Sequence, residues 1–430
     1  MNFFFAVINI SLLFFIAYRV WKADDSLVKK FFWPALIMKL IAGICLGLVY
    51  TYYYVAGDTF AFFEDGVRLA DLARQDLPLY IRFLWSGDDS FNVWSSLSLL
   101  QSRALFMVKI VSMVNLVSHD NYWITSLYFS FSSFMAAWML VKVIIRLGAS
   151  LRLPATIGFL FFPSVVFWSS GLIKESLAMA SLFFLTSIFL KVWMRERLRF
   201  WEWILIPLSL WLLWNLKYYY LAVFLPVVSA CLVVNLLFSE RLKFKPPVYR
   251  IFIWCMVFLI PLIGVSLVRP NFYPERLLHV ILSNYEEFHA ISDANDLIYY
   301  NNLQPTVESI LRNAPWALFS GLYRPWPWEA GTVFQVFISI ENILLLILSC
   351  TALGKVKQMV RSPNGMLLFS IALYVVMLCV FLALSTPNFG TLSRYRVGFL
   401  PFFFLLITVE NPVVTWMMRF IQRSSTRLVP

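Results

Sequence analysis

At 430 residues the chain is long enough for two or three soluble domains, but its composition excludes them. Hydrophobic residues make up 61%, aromatic residues 18% and charged residues only 13%, with a mean hydropathy of +0.76; soluble domains run at about 45–50% apolar and about 25% charged. That much apolar surface cannot be hidden from water, which excludes a soluble enzyme, a disordered protein and a nucleic-acid binder, and the net charge of +12 first reports topology.

A crossing helix needs about 20 mostly apolar residues. In chain order the candidates are Phe3–Val20, Phe32–Tyr54, Trp123–Ile145, Ala155–Ser170, Ser176–Trp193, Trp201–Trp214, Tyr219–Phe238, Ile251–Val268, Val333–Leu353, Met366–Leu384 and Val397–Met417. The expectation is therefore an all-α polytopic membrane protein of about 11 spans (range 10–13), a single transmembrane domain over residues 1–430. The pairs 155–193 and 201–238 read as tight helical hairpins. Ala104–Ser118 is apolar but short and carries Lys109 and Asn115, so it reads as a re-entrant or interfacial helix. The first span lacks the basic start and small-residue cleavage site of a signal peptide. The five cysteines all lie in apolar runs with no CxxC pair, which argues against disulfides and a metal knuckle.

Lysine and arginine concentrate in alternate short loops, from Arg19 to Lys30 through to Arg419, Arg423 and Arg427, so that 21 of the 35 basic residues share one side. That side is expected to be cytoplasmic, with the N-terminus outside, the C-terminus inside, and a location in the inner (cytoplasmic) membrane. Two large loops, 56–122 and 269–332, then face outward. Sixteen of the 23 acidic residues fall on that outer side, where any chemistry is expected.

Four polar clusters stand out there. Asp58 follows the aromatic run Tyr52–Tyr54 and precedes Glu64 and Asp65. A carboxylate at the membrane edge is partly desolvated, which raises its basicity; the alternative is a helix cap beside an interfacial helix. If 59–75 is helical, Asp58 and Asp65 share a face while Phe60, Phe63 and Val67 form an apolar stripe on the membrane. Lys174 and Glu175 end a Pro163–Ser164…Phe167–Trp168–Ser169–Ser170 hairpin, as a phosphate contact or a solvated turn. Arg394 and Arg396 flank Tyr395 just before the last span, suited to bidentate phosphate contact or to headgroup snorkelling. Arg324, Trp326, Trp328 and Glu329 form a stiff Pro-interrupted segment that could line a sugar site or belong to the interfacial aromatic belt. Glu341–Asn342 lies mid-span and must face the interior, as a structural contact. His119, His279 and His289 show no metal-ligand spacing.

In this order on one face, the motifs resemble the GT-C superfamily of integral-membrane glycosyltransferases, in particular its bacterial polysaccharide-type members. The resemblance spans residues 57–401. It implies many helices with membrane-parallel helices in the first outer loop. It also implies a sugar donor on a polyprenyl phosphate or diphosphate, an acceptor glycan or lipid-linked acceptor, and transfer with inversion. Asp58, with Glu64 and Asp65 nearby, would correspond to the catalytic acids, and Asp58 would deprotonate the acceptor. Lys174, Arg394 and Arg396 would stabilise the leaving phosphate; Glu175, Arg324, Trp326, Trp328, Glu329 and Tyr395 would contact substrate. No cofactor is expected, and nothing in the residues supports a divalent metal. The alternatives are a polymerase or ligase moving a whole glycan, and a non-catalytic lipid-linked-sugar flippase or exporter, whose charges should run through the bundle.

Overall fold

The computed structural model describes residues 2–54, 57–86, 97–99, 101–242, 246–268, 273–362 and 364–416. Of the sequence expectations, residues 56, 87–96 and 100 of the first large loop, Lys243, Lys245, 269–272 of the second large loop and the tail arginines Arg419, Arg423 and Arg427 lie outside the described residues. In chain order the helices are α1 (Asn2–Lys22), α2 (Phe32–Tyr52), α3 (Asp58–Gln75), α4 (Leu77–Ser86), α5 (Ser102–Ser118), α6 (Tyr122–Ile144), α7 (Arg152–Thr156), α8 (Pro163–Trp168), α9 (Lys174–Trp193), α10 (Phe200–Leu242), α11 (Pro247–Val268), α12 (Pro274–Ile291), α13 (Val307–Tyr323), α14 (Val333–Leu353), α15 (Val356–Arg361), α16 (Gly365–Ser385), α17 (Phe389–Tyr395) and α18 (Leu400–Thr408). No strand occurs among the described residues; a single antiparallel bridge joins Leu297 and Asn388.

Seven helices among the described residues are long and apolar enough to cross a membrane: Phe4–Lys22, Lys29–Tyr52, Tyr122–Leu147, Lys174–Trp193, Phe200–Leu236, Val333–Leu353 and Gly365–Ser385. The protein is thus all-α, and its helices are those of a membrane protein. Four expected spans take other forms. Ala155–Ser170 divides into α7, a π-helical stretch at Ile157–Phe161 and α8, because Pro163 removes a backbone donor and starts a new helix. The expected spans at 201–214 and 219–238 follow one another in α10 as two helical stretches with the break between them at Lys217 (φ −145°, ψ 62°), in place of a longer connecting loop. Within 397–417, α18 extends over nine residues.

The chain forms two compact units, residues 1–142, 159–187 and 199–218 in one and 143–158, 188–198 and 219–430 in the other. In the first, α3 buries Thr59, Phe62, Asp65, Gly66, Leu69, Ala70 and Ala73, the i, i+3, i+4 spacing of one helical face. That face packs on α5, which is a full 17-residue helix. The approach is close because Gly66 has no side chain: a Cβ there would lie 2.6 Å from Val111 Cγ1. Phe60 and Phe63 are only half-buried and set their rings against Tyr122 of α6 at 4.6 and 5.4 Å. The expected membrane-facing stripe is therefore partly a contact with α6. Below it, Trp138 of α6 packs edge-on to Phe32 and donates from Nε1 to Asp24 at 2.8 Å.

In the second unit, α13, α14, α16 and α18 pack side by side. Gly321 of α13 lets Cys379 of α16 approach, since a Cβ would meet its sulfur at 2.6 Å. Helix starts are capped by side chains. Thr332 accepts from the Gln335 amide at 3.2 Å, Thr306 from Ser309 at 3.2 Å, and Asn388 from Thr391 at 2.9 Å, each satisfying an amide that the first turn leaves unpaired.

Candidate functional site

In the first unit, the α3 cap position is Gly57 in an extended conformation, and Asp58 is the first helical residue, with an exposed carboxylate. A carboxylate in the first turn is favoured by the helix dipole and stays accessible for proton transfer. One turn further along, the Phe62 ring lies under the Lys174 ammonium at 4.9 Å. This contact brings the first turns of α3 to the start of α9. Glu64 is exposed on the same helix.

Asp65 is different. It is fully buried, and its two oxygens accept from Ser98 N at 3.1 and 2.9 Å, Ser98 Oγ at 2.9 Å, Leu99 N at 2.9 Å and Arg68 at 2.9 Å. With its lone pairs so occupied, its evident work is to anchor the 97–99 segment onto α3.

The hairpin is held from inside. Gly171 takes φ +73°, the left-handed region open to glycine, and donates its N–H to Ser130 Oγ at 2.8 Å. The Lys39 ammonium of α2, buried, donates to Ser169 Oγ and lies 3.5 Å from the Val166 carbonyl, covering carbonyls that the end of α8 leaves unpaired. Glu175 is no hairpin-tip charge. It is fully buried, with Lys217 Nζ 2.7 Å from Oε1; the side-chain exposures are 0% and 4%. Buried charge within helices of spanning length therefore includes Lys39, Glu175 and Lys217. Lys217 could not be assigned from sequence because its partner lies 42 positions away across two helices.

In the second unit, Arg324 chelates Glu329: Nε donates at 3.0 and 3.1 Å and Nη2 at 2.5 Å, while the Trp326 amide donates to the same carboxylate at 2.8 Å. The Arg324–Pro325 peptide is cis, and Asn342 Nδ2 donates to the Pro325 carbonyl at 3.0 Å, the structural contact expected of that residue. The turn so fixed stacks Trp326 on Trp328, centroids 5.5 Å apart and planes 9° from parallel. Trp328 is 79% exposed, an open flat face of the kind sugars and headgroups both use.

The two arginines of α17 and the turn after it part ways. Arg394 is half-buried, whereas Arg396 is 1% exposed. The turn is pinned on both sides: Tyr220 donates to the Tyr395 carbonyl at 2.5 Å and Tyr374 to the Gly398 carbonyl at 2.9 Å. Gly398 lies against the Tyr220 ring, where a Cβ would come within 2.6 Å. Val397 and Phe399 are also buried, so Arg396 has nowhere to snorkel. None of its three guanidinium nitrogens has a hydrogen-bond partner among the described residues. Burial pushes its pKa down, opposed by the Glu341 carboxylate and then by Cys379; an arginine nonetheless keeps its proton. Tyr395 is half-buried beside it. Among the described residues no three His, Cys, Asp or Glu side chains gather as a metal site. No protein-family model, curated protein or solved structure matches the chain.

Proposed function

We propose that the protein is an inner-membrane glycosyltransferase with about eleven crossings, N-terminus outside and C-terminus inside. It would transfer a sugar from a polyprenyl-linked phosphate donor to a glycan or lipid-linked acceptor at the external face. The observation that carries this reading is Arg396, a fully buried guanidinium with no hydrogen-bond acceptor among the described residues. Leaving a buried charge unpaired costs several kcal/mol, and its planar fork of donors matches phosphate oxygens.

In the reaction, Asp58 takes the proton of the acceptor hydroxyl, whose oxygen bonds to the sugar's anomeric carbon. The bond from that carbon to the phosphate oxygen breaks, and its electron pair leaves with the lipid phosphate. The family resemblance assigns the stabilisation of that growing charge to Lys174, Arg394 and Arg396. The exposed Trp328 face suits a sugar ring, and Glu175, Arg324 and Glu329 hold their neighbours in place.

The test is transfer by the purified protein from a polyprenyl-phosphate sugar. Asp58→Asn keeps shape and should lower the rate at least ~100-fold, the usual worth of a general base, with an unchanged melting temperature. Arg396→Lys keeps charge, loses the fork and should also lose activity. A fully active Asp58→Asn protein would refute the mechanism.

One observation favours a second reading, a lipid-linked-sugar exporter: Lys39, Glu175 and Lys217 lie buried within helices of spanning length, as a translocation path would require. Donor crossing in proteoliposomes without any sugar transfer would select it.

A further inference from the structure

The turn joining α1 to α2 gathers cations on an aromatic floor. Arg19 and Lys22 close α1, and Lys29 and Lys30 begin the short helical turn that leads into α2, so both ends of the turn bring basic residues to one place. Rings from the two helices adjoin beneath them: Tyr18 and Trp21 lie 5.9 Å apart, Trp21 and Trp33 6.1 Å, and Trp33 and Phe14 5.4 Å. Lys22 Nζ stands 6.0 Å over the Tyr18 ring, Lys29 Nζ 5.0 Å over Trp21 and Lys30 Nζ 5.1 Å over Phe31. Asp24 holds the turn in this shape: it is buried and accepts from Ser26 N at 2.7 Å and Trp138 Nε1 at 2.8 Å, with Lys142 Nζ 3.3 Å away. We propose that, whatever reaction the protein catalyses, this turn is a binding site for an anionic phospholipid of the surrounding bilayer.

Charge and apolar surface together select that ligand. Lys142 neutralises Asp24, which leaves Asp25 as the other carboxylate of the turn against Arg19, Lys22, Lys29 and Lys30, a balance of three positive charges. None of these four cations forms an ion pair among the described residues. A ring face attracts an ammonium through its quadrupole and leaves N–H donors directed away from the ring; phosphate oxygens are acceptors that suit them. The floor continues into exposed apolar surface. Phe14, Phe15 and Ile10 of α1 are exposed, as are Ile37 and Ile41 of α2, one and two turns on from Trp33, and both helices have spanning length and hydropathy. A ligand that covers this surface carries an anion at one end and hydrocarbon at the other. Free phosphate lacks the hydrocarbon, and an acidic polypeptide or a nucleic acid cannot follow the apolar faces into the bilayer. An anionic phospholipid has both parts, with tryptophans at headgroup level as anchors and basic residues drawn to its charge.

Native mass spectrometry of the full-length protein in detergent, titrated with dioleoyl phosphatidylglycerol or dioleoyl phosphatidylcholine, reads the site, because the two lipids share their chains and differ in net charge. The wild type should retain the anionic lipid at least about tenfold more tightly, since each cation near an anionic headgroup is worth about fivefold in affinity. The triple variant Lys22→Gln, Lys29→Gln, Lys30→Gln should bring that preference to about twofold or less, with the melting temperature of the parent when no lipid is added. Should the triple variant be less stable, the single variants Lys22→Gln and Lys29→Gln decide the matter, each with an expected loss of about fivefold. Lys355→Gln, Lys357→Gln, Arg361→Gln removes the same charge from another basic stretch and should leave the preference unchanged. Equal retention of the two lipids by the wild type, or an equal loss of preference in this second triple variant, would overturn the proposal. Displacement of the anionic lipid by an equal concentration of sn-glycerol 3-phosphate would also overturn it, since the turn would then be an anion site in which acyl chains have no part.

Discussion

Replacing Lys217 by methionine keeps the length of the side chain and deletes its charge. In the native protein Lys217 Nζ and Glu175 Oε1 are 2.7 Å apart, and both side chains are essentially removed from solvent. At an effective dielectric of about 20 that separation is worth roughly 6 kcal/mol of attraction, while taking each ion out of water costs several kcal/mol. The intact pair is therefore near break-even. Lys217→Met leaves Glu175 charged and uncompensated, at an expected cost of about 3–5 kcal/mol. Glu175→Leu leaves the reciprocal charge and should cost a similar amount. The double variant removes both charges and should return to within about 1 kcal/mol of the parent. Unfolding in a mild detergent, followed by intrinsic fluorescence for all four proteins, yields the coupling directly as the departure from additivity. Additive losses, or single variants as stable as the parent, would show that the two groups are not a buried pair and that the interruption of α10 at Lys217 has another cause.

Asp65→Asn should be destabilising where Asp58→Asn is not, because a carbonyl and an amide cannot accept from Ser98, Leu99 and Arg68 together; limited proteolysis near residue 98 should accelerate while the Asp58 variant is cleaved like the parent. Asp24 carries a pH signature. Burial works to raise its pKa, but hydrogen bonds from Ser26 and Trp138 and the charge of Lys142 outweigh burial and lower it. A depressed carboxyl stabilises the fold above its unfolded value of about 3.9 and loses that contribution as pH falls through the folded value. The melting-temperature gap between wild type and Asp24→Asn should therefore be open at pH 6 and close below about pH 4; a constant gap would refute it.

Composition and hydropathy made the membrane class and most of the spanning helices legible, because those depend on runs of side chains along one segment. What local patterning missed depends on partners distant in sequence. The break between the expected spans at 201–214 and 219–238 is legible, but the partner met there is not: Lys217, where α10 leaves helical geometry, sets its ammonium against Glu175. Asp65 reads as half of an acid pair, yet residues 98 and 99, more than thirty positions away, take up its oxygens. Arg394 and Arg396 are indistinguishable as paired cations before a span. Their different burial is set by Tyr220, Tyr374 and the bare Cα of Gly398, none of which the motif contains. The helix starts at Gly57–Asp58 and Pro163 are legible, since Gly, Pro and charge at a span end are local signals.

The polar ties of the first two helices also bear on biogenesis. Asn9 on α1 donates to the Val117 carbonyl and accepts from Tyr128, and Asp24 awaits Trp138, 114 residues downstream. At about 5–20 residues per second, a ribosome needs roughly 6–23 s to make that stretch. Until α6 emerges, the first hairpin sits at the insertion machinery with an amide and a carboxylate lacking these partners. Its early release into lipid is disfavoured, and α6 is the step that completes it.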